Sequence, residues 1–459
     1  MIDTFALKKR IYDMAISGRL TLHLANDTPV DSSLLSYQEE GVDSLPEIPE
    51  TWKYCYFDDV LINRDSERIP VSVADRKKLS KKFDYYGASG VIDKVDNYLF
   101  DESLLLIGED GANLLSRSTP IAFIAKGKYW VNNHAHVLQA TEHVLLEYVE
   151  IYINAISLVP YVTGSAQPKL SQHMMSKIPV PVPPIEEQQR IVETVRSVFD
   201  HLVLIDTLQN QYQDNLATLK SKIIDAGIQG KLTEQLPEDG NAEELYQQIQ
   251  QEKLALEKAG KIKKSKPLPP ISDEEKPFDI PDNWKWVRLD SIASVISKGT
   301  TPRGGKVSYC ENGIGFLRAE NLKGFDKLNL CNLNYIDENV HIGFLKRSIL
   351  EDGDILISIA GTLGRTGLVR KADLPLNANQ AIAFIRPVNK DRLDLSYVIY
   401  SLNAKAIQKM MDYKKVEMAI PNLSLAVISN TIIPLPPLAE QKRIVAKLEE
   451  LLPLCDNTL

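Results

Sequence analysis

One phrase is written twice in this chain. PVPPIEEQQRIV at 181–192 returns as PLPPLAEQKRIV at 434–445, with eight of the twelve letters identical. Internal repeats decide an architecture before any single element does. Three further echoes keep the same order: QPKLSQHMMSKIPVPVPP (167–184) with IPNLSLAVISNTIIPLPP (420–437), IPETWKY (48–54) with IPDNWKW (280–286), and KKRIYDMAISGRLT (8–21) with KSKIIDAGIQGKLT (220–233). The offset grows along the chain from 212 to 232 to 253, so the second half carries insertions.

The stretch after Pro184 reads as one long helix. The double proline sits where a missing N–H costs little, Glu186 and Glu187 suit the first turn, and Gly230 lies near the end. Ile191, Val198, Ile205, Tyr212 and Leu219 recur every seven residues. Val195, Leu202, Leu216 and Ile223 form the companion row, interrupted by Gln209, and Ile444, Leu448 and Leu451 repeat Ile191, Val195 and Val198 in the second copy. Such a 4–3 pattern predicts a coiled-coil seam, on a helix of roughly 65 Å.

Residues 434–459 copy the first part of this helix, and residues 8–21 copy its last part. The second copy is therefore split between the chain ends, as in a circularly permuted repeat. The expected fold is α+β: two mixed α/β domains, joined and separated by two long antiparallel coiled-coil helices in a pseudo-two-fold arrangement. The expected divisions are an N-terminal helical segment (1–24), a first domain (45–180), the central helix (181–236), a polar linker with a short helix (237–277), a second domain (278–433) and a C-terminal helix (434–459). Pro453 should interrupt that last helix.

A chain of 459 residues suits two or three domains, and its 44% hydrophobic and 25% charged content is that of a globular protein. No apolar run approaches the roughly 20 residues that span a bilayer, and no signal-peptide core is evident, so a cytoplasmic location is expected. Four cysteines lie far apart without a CxxC pair, which argues for free thiols and against a zinc site. A net charge of −8 argues against indiscriminate coating of nucleic acid, but a binding face needs only local positive charge. RKKLSKK (76–82), KGTTPRGGK (298–306) and KIKKSK (261–266) supply such clusters.

No catalytic set emerges. KGTTPRGGKV fails the phosphate-loop spacing, because Thr300 stands where glycine is needed and Val307 replaces the metal-holding hydroxyl. The Asn/Asp-Pro-Pro-aromatic word of an amino-methyltransferase is absent. GEDGA (108–112) reads as a tight turn. In WVNNHAHVL (130–138), His134 and His136 would share one face of a strand, with Glu142 or His143 as the nearest further ligands. A polar face is the preferred reading there, with no metal assigned.

Two dissimilar domains, each closed by a PPxxEQxxIV helix, resemble the specificity subunit of a type I restriction–modification system. PPIEEQQRIV with IIDAGIQGKL, their copies PPLAEQKRIV and IYDMAISGRL, and the IPETWKY and IPDNWKW openers carry the resemblance over nearly the whole chain. It implies a non-catalytic subunit whose two target-recognition domains each read one half of a split, asymmetric double-stranded DNA target. It also implies two adenine methyltransferase subunits and translocating restriction subunits as partners, which would hold S-adenosylmethionine, ATP and magnesium. The alternative is a stand-alone DNA-binding regulator or decoy that keeps the same fold.

Long donors and amides beside glycine turns are the candidates for base or phosphate contact. In the first domain these are Lys81, Lys82, Tyr85, Tyr86, Ser89, Asn132, Asn133, His134, Gln167 and Lys169. In the second they are Lys298, Thr301, Arg303, Arg318, Arg365, Arg370, Asn379, Gln380 and Lys414. Hairpin packing is the alternative role for Tyr85 and Tyr86, and internal hydrogen bonding for Asn379 and Gln380.

Overall fold

A computed structural model describes residues 1–38, 45–164, 167–265, 267–302, 304, 309–412 and 423–456. The chain divides into two units, Met1–Asn210 and Gln211–Leu459. Each contains a mixed α/β domain and an antiparallel helix pair, and the helix Ile185–Ile228 contributes to both.

In the first unit, β1 (Lys53–Cys55) pairs antiparallel with β10 (Val180–Val182), so the strands that open and close the domain lie together. One antiparallel sheet has the order β2 (Leu61–Asn63), β9 (Ala135–Ala140), β6 (Leu104–Gly108), β7 (Ala122–Ala125). The other has the order β4 (Gly90–Val95), β3 (Phe83–Gly87), β8 (Lys128–Val131), β5 (Phe100–Asp101), with β3 and β8 parallel. The word LLLIG makes β6 because both of its faces find apolar neighbours. Leu105 and Ile107 join a core with Tyr148 and Ile191, while Leu104 and Leu106 join Phe100, Tyr129 and Val137. Side chains alternate along a strand, so one apolar run serves two cores. Each such residue contributes about 1.5–3 kcal/mol on burial.

The second unit repeats this plan. β11 (Lys285–Arg288) pairs with β21 (Ile432–Leu435). The larger sheet runs β12 (Ala293–Lys298), β20 (Ile382–Pro387), β17 (Ile355–Ser358), β18 (Thr366–Leu368). In the smaller sheet β13 (Ile314–Leu317) lies parallel to β19 (Leu376–Ala378) and antiparallel to β16 (Asn334–Ile336). A hairpin of β14 (Leu322–Gly324) and β15 (Lys327–Leu328) is added. Ile355 and Ile357 face the helices, and Leu356 faces the smaller sheet, as on β6.

The repeated words of the sequence meet at one junction per unit. Trp52 donates its indole N–H to the buried Glu187 at 3.0 Å, and Trp284 does the same to Glu440 at 2.8 Å. The hydroxyls of Thr21 and Thr233 add to the same two carboxylates. Gln188 accepts from the Leu145 N–H and donates to the Pro183 carbonyl; Gln441 accepts from Asp394 and donates to Pro436. Arg190 forks onto Asp27, and Arg443 onto Asp239. Tyr148 and Tyr397 donate to the carbonyls of Pro181 and Pro434. The preceding helix ends at Gly18 (φ +68°) or Gly230 (φ +71°). A Cβ there would lie 2.3 Å from Pro49 or 2.6 Å from Pro281. Glycine is needed on both counts, because the backbone is left-handed and the proline is close.

The predicted helix spans 44 residues, Ile185–Ile228, and packs in two stretches. Within the first unit it runs antiparallel to the helix Thr4–Ile16, with Tyr12 edge-on to Phe199 and Thr4 donating to Asp206. Ile191, Val195 and Leu202 are buried, and Val198 and Ile205 partly so. Within the second unit its last turns meet the helix Leu438–Leu451, where Ile444 and Leu448 touch Gly227. Here the expected seam is corrected. Tyr212 and Leu219 are exposed (39% and 46%), Leu216 and Ile223 are partly covered, and Ile224 and Ile228 are the buried residues. An α-helix drifts about 20° per heptad from a strict seven-residue repeat. Over roughly five heptads that amounts to one residue position, which moves the seam from Ile223 to Ile224. Leu451 is partly buried at the end of the second copy, and a 3-10 turn, Leu452–Cys455, follows around Pro453.

Candidate nucleic-acid interface

In the first unit, four loops converge at one end of the two sheets, tied by backbone bonds. The strand β8 leaves its sheet at Asn132, turns, and enters the other sheet as β9. Asn132 makes the turn: its N–H donates to the Tyr86 carbonyl (3.0 Å), and its side-chain oxygen accepts the His134 N–H (2.8 Å). The His134 carbonyl accepts from Glu109, and the Glu109 carbonyl accepts from Leu170 (2.9 and 2.8 Å). The β3–β4 hairpin tip passes so close that a Cβ on Gly108 would lie 2.7 Å from the Ala88 carbonyl oxygen.

The second unit reproduces this chain of bonds with other residues. The Asn379 N–H donates to Leu317, and its side chain accepts from Ala381. The Ala381 carbonyl accepts from Ile359, and the Ile359 carbonyl from Leu423. Gly299, which opens the KGTTPRGGK loop, would place a Cβ 2.1–2.2 Å from the carbonyl oxygens of Ala378 and Asn379. No other residue permits that approach.

This frame gathers some of the candidates and not others. Ser89, Asn133, His134, Gln167 and Lys169 stand exposed on the converging loops of the first unit. His134 Nδ1 lies 2.8 Å from the Asp110 carboxylate, which accepts, and Lys169 lies 3.1 Å from Glu109. Asn132 is buried in its turn, and Tyr86 lies under the hairpin, stacked on Phe123. Tyr85 is placed in the interior instead of on a surface. It is 1% exposed, and its hydroxyl accepts the Val71 N–H. Lys81 and Lys82 precede the opposite end of β3, where Lys81 pairs with Asp93. In the second unit, Lys298, Thr301, Arg318, Asn379 and Gln380 adjoin one turn. Arg365 joins them through Ser358, while Arg370 lies beyond the far end of β18 and pairs with Asp326. Asn379 does bond internally, as the alternative role held, whereas Gln380 is exposed. Arg303 and Lys414 lie outside the described residues.

The shared strand face for His134 and His136 is corrected. His134 belongs to the turn and is exposed, whereas His136 on β9 is fully buried. Beneath the loops, Asp65, Glu109 and His136 bring ligand atoms within 4.8 Å of one another. Arg68 meets both carboxylates, at 3.3 Å from Asp65 and 2.7 Å from Glu109, and Lys169 adds a second cation. The protein's own cations thus fill the place a metal ion would take. Sequence reasoning missed Asp65 and Arg68, and read Asp110 only as part of a tight turn. The signal of Asp65 and Arg68 was weak, because the stretch NRDSER (63–68) lies outside any repeated word.

The matched loops and junctions make the two units copies of one design. A model of the type I restriction modification DNA specificity domain matches residues 49–212 and again 281–457. The chain belongs to this family. It is 31% identical over 341 residues to the type I restriction enzyme EcoAI specificity subunit of Escherichia coli, covering 64% of this chain and 57% of that protein. It is 28% identical to the EcoEI specificity subunit of the same species, covering 99% of this chain and 91% of that one. Among solved structures, a chain reported for complex assembly and conformational transition of the type I R-M system covers 89% of this chain and 92% of its own, at 18% identity and a TM-score of 0.56. That likeness extends to the fold. No described helix is long and apolar enough to cross a membrane.

Proposed function

We infer that this chain is the DNA sequence-specificity subunit of a type I restriction–modification complex. The observation that carries the reading is the duplicated loop frame. Two domains hold four loops with the same backbone bonds and present different side chains on them. Identical heads on a two-fold scaffold read palindromes. Different heads on a duplicated scaffold suit a split, asymmetric target, with residues 45–180 reading one half and 278–433 the other. On this reading, Ser89, Asn133, His134, Gln167 and Lys169 on the first head, and Lys298, Thr301, Arg318, Arg365 and Gln380 on the second, would be the side chains that contact base edges or phosphates. The chain supplies the address. Methyltransferase subunits would supply methyl transfer with S-adenosylmethionine, and restriction subunits ATP- and magnesium-dependent cleavage.

The test is co-expression with the methyltransferase subunit encoded beside it, in a host free of adenine methylation, followed by mapping of modified adenines. The expected result is one split motif, of which one half changes when residues 45–180 are exchanged for another head. A stable complex that leaves DNA unmethylated overturns the reading.

A further inference from the structure

The two heads hold their loops alike but fill the space beneath them differently. Glu109 and Ile359 occupy matching places, since each donates to the turn and accepts from the next loop. His136 and Ala383 match in the same way, two residues after His134 and Ala381. The second head therefore has two apolar side chains, Ile359 and Ala383, where the first has the charged Glu109 and the buried His136.

His136 has no exposed surface. Its Nδ1 lies 2.6 Å from Asp65 Oδ2, and its Nε2 lies 2.8 Å from the Leu170 carbonyl oxygen. Both neighbours are acceptors, so both ring nitrogens must carry hydrogen for both contacts to hold. Asp65 also accepts from the Val137 N–H and from Gln172, each at 2.7 Å. Arg68 bridges Asp65 and Glu109 and donates to the Ala135 carbonyl at 2.7 Å. Burial pushes both carboxyls up, but the bonds from His136 to Asp65, and from Arg68 and Lys169 to Glu109, outweigh it and hold both below the ordinary range.

Buried ion clusters stabilise a fold little better than apolar residues of equal volume. In the second head the same backbone bonds form with Ile359 and Ala383 at the matching positions. What the cluster adds is direction. It links the segment after β2, the loop at Glu109, the start of β9 and the loop at Leu170, each through oriented hydrogen bonds.

We propose that Asp65, Arg68 and His136 are positioning residues for base reading by the first head, whose half of the target depends on a charged keystone where the second head has Ile359 and Ala383. The inference rests on the two-headed DNA-specificity reading above. The test uses the full chain in complex with its methyltransferase subunits, on duplexes carrying one base change in either half of the mapped motif. Asp65→Asn and His136→Gln are expected to lower discrimination at the first half by about tenfold or more, and to leave the second half as in the unaltered complex. His136→Gln keeps a donor for Leu170 and carries the test if Asp65→Asn does not fold. A purely structural role would move the unfolding midpoint without separating the halves. Equal loss at both halves, or none at either, overturns the proposal. An unaltered complex that recognises no split motif overturns the specificity reading itself, and the proposal with it.

Discussion

At the junctions, a few side chains carry much of each unit's closure. Trp52→Phe removes a hydrogen bond to a carboxylate with no exposed surface, and Trp284→Phe does the same in the second unit. Loss of a bond to a buried charged acceptor costs about 1–3 kcal/mol. The two variants should give similar falls in stability by denaturant titration, because each carboxylate keeps a threonine hydroxyl and one further side-chain nitrogen, from His23 or Gln235. Gly18→Ala and Gly230→Ala should each cost at least about 1 kcal/mol, since strain at positive φ adds to a clash with proline. These residues were legible in advance, because every partner lies in a repeated word. Arg190 and Arg443 were legible only in half. Their partners Asp27 and Asp239 sit in TLHLAND and TEQLPED, where too few letters recur to be noticed. The buried cluster under the first head yields a prediction of its own. Asp65 and Glu109 titrate below the ordinary carboxylate range, so their stabilisation is present above about pH 4 and is lost as pH falls through their lowered values. Amide exchange, corrected for intrinsic rate, should show Val137 losing protection in acid while Leu423 keeps it.

At the scale of elements, the long helix teaches where periodicity stops being a guide. Its existence, its start after Pro184 and its length followed from capping and spacing, and they hold. The seam held over its first stretch and slipped by one residue over its last, because the pattern repeats every seven residues and the helix every 3.6. Leu448→Ala should therefore cost about 2–5 kcal/mol, whereas Leu219→Ala should change stability by less than about 0.5 kcal/mol. Thermal unfolding of the two variants side by side checks the corrected register. The strands were legible as alternating runs, and the sheet order was not, since pairing partners such as β3 and β8 lie some forty residues apart.

Across the whole molecule, a net charge of −8 sits beside two loop clusters in which, among the described residues, Lys169 and Arg318 pair with Glu109 and Glu320. Each neutralised phosphate steepens the salt dependence of binding by nearly one unit on a double-logarithmic plot. The isolated chain should show a shallow slope, and its complex with methyltransferase subunits a markedly steeper one, in titrations against the mapped target. Equal slopes would mean that this chain makes its phosphate contacts unaided. The turn at Asn132 and its twin at Asn379 bear on how such an address changes over generations. Each is fastened by main-chain groups and one asparagine, while Asn133 and Gln380 at the crest hold nothing in place. Mutations at the crest can therefore accumulate without cost to folding, and under the proposed function a lineage could respell one half of its target a letter at a time while the other half stays as it was.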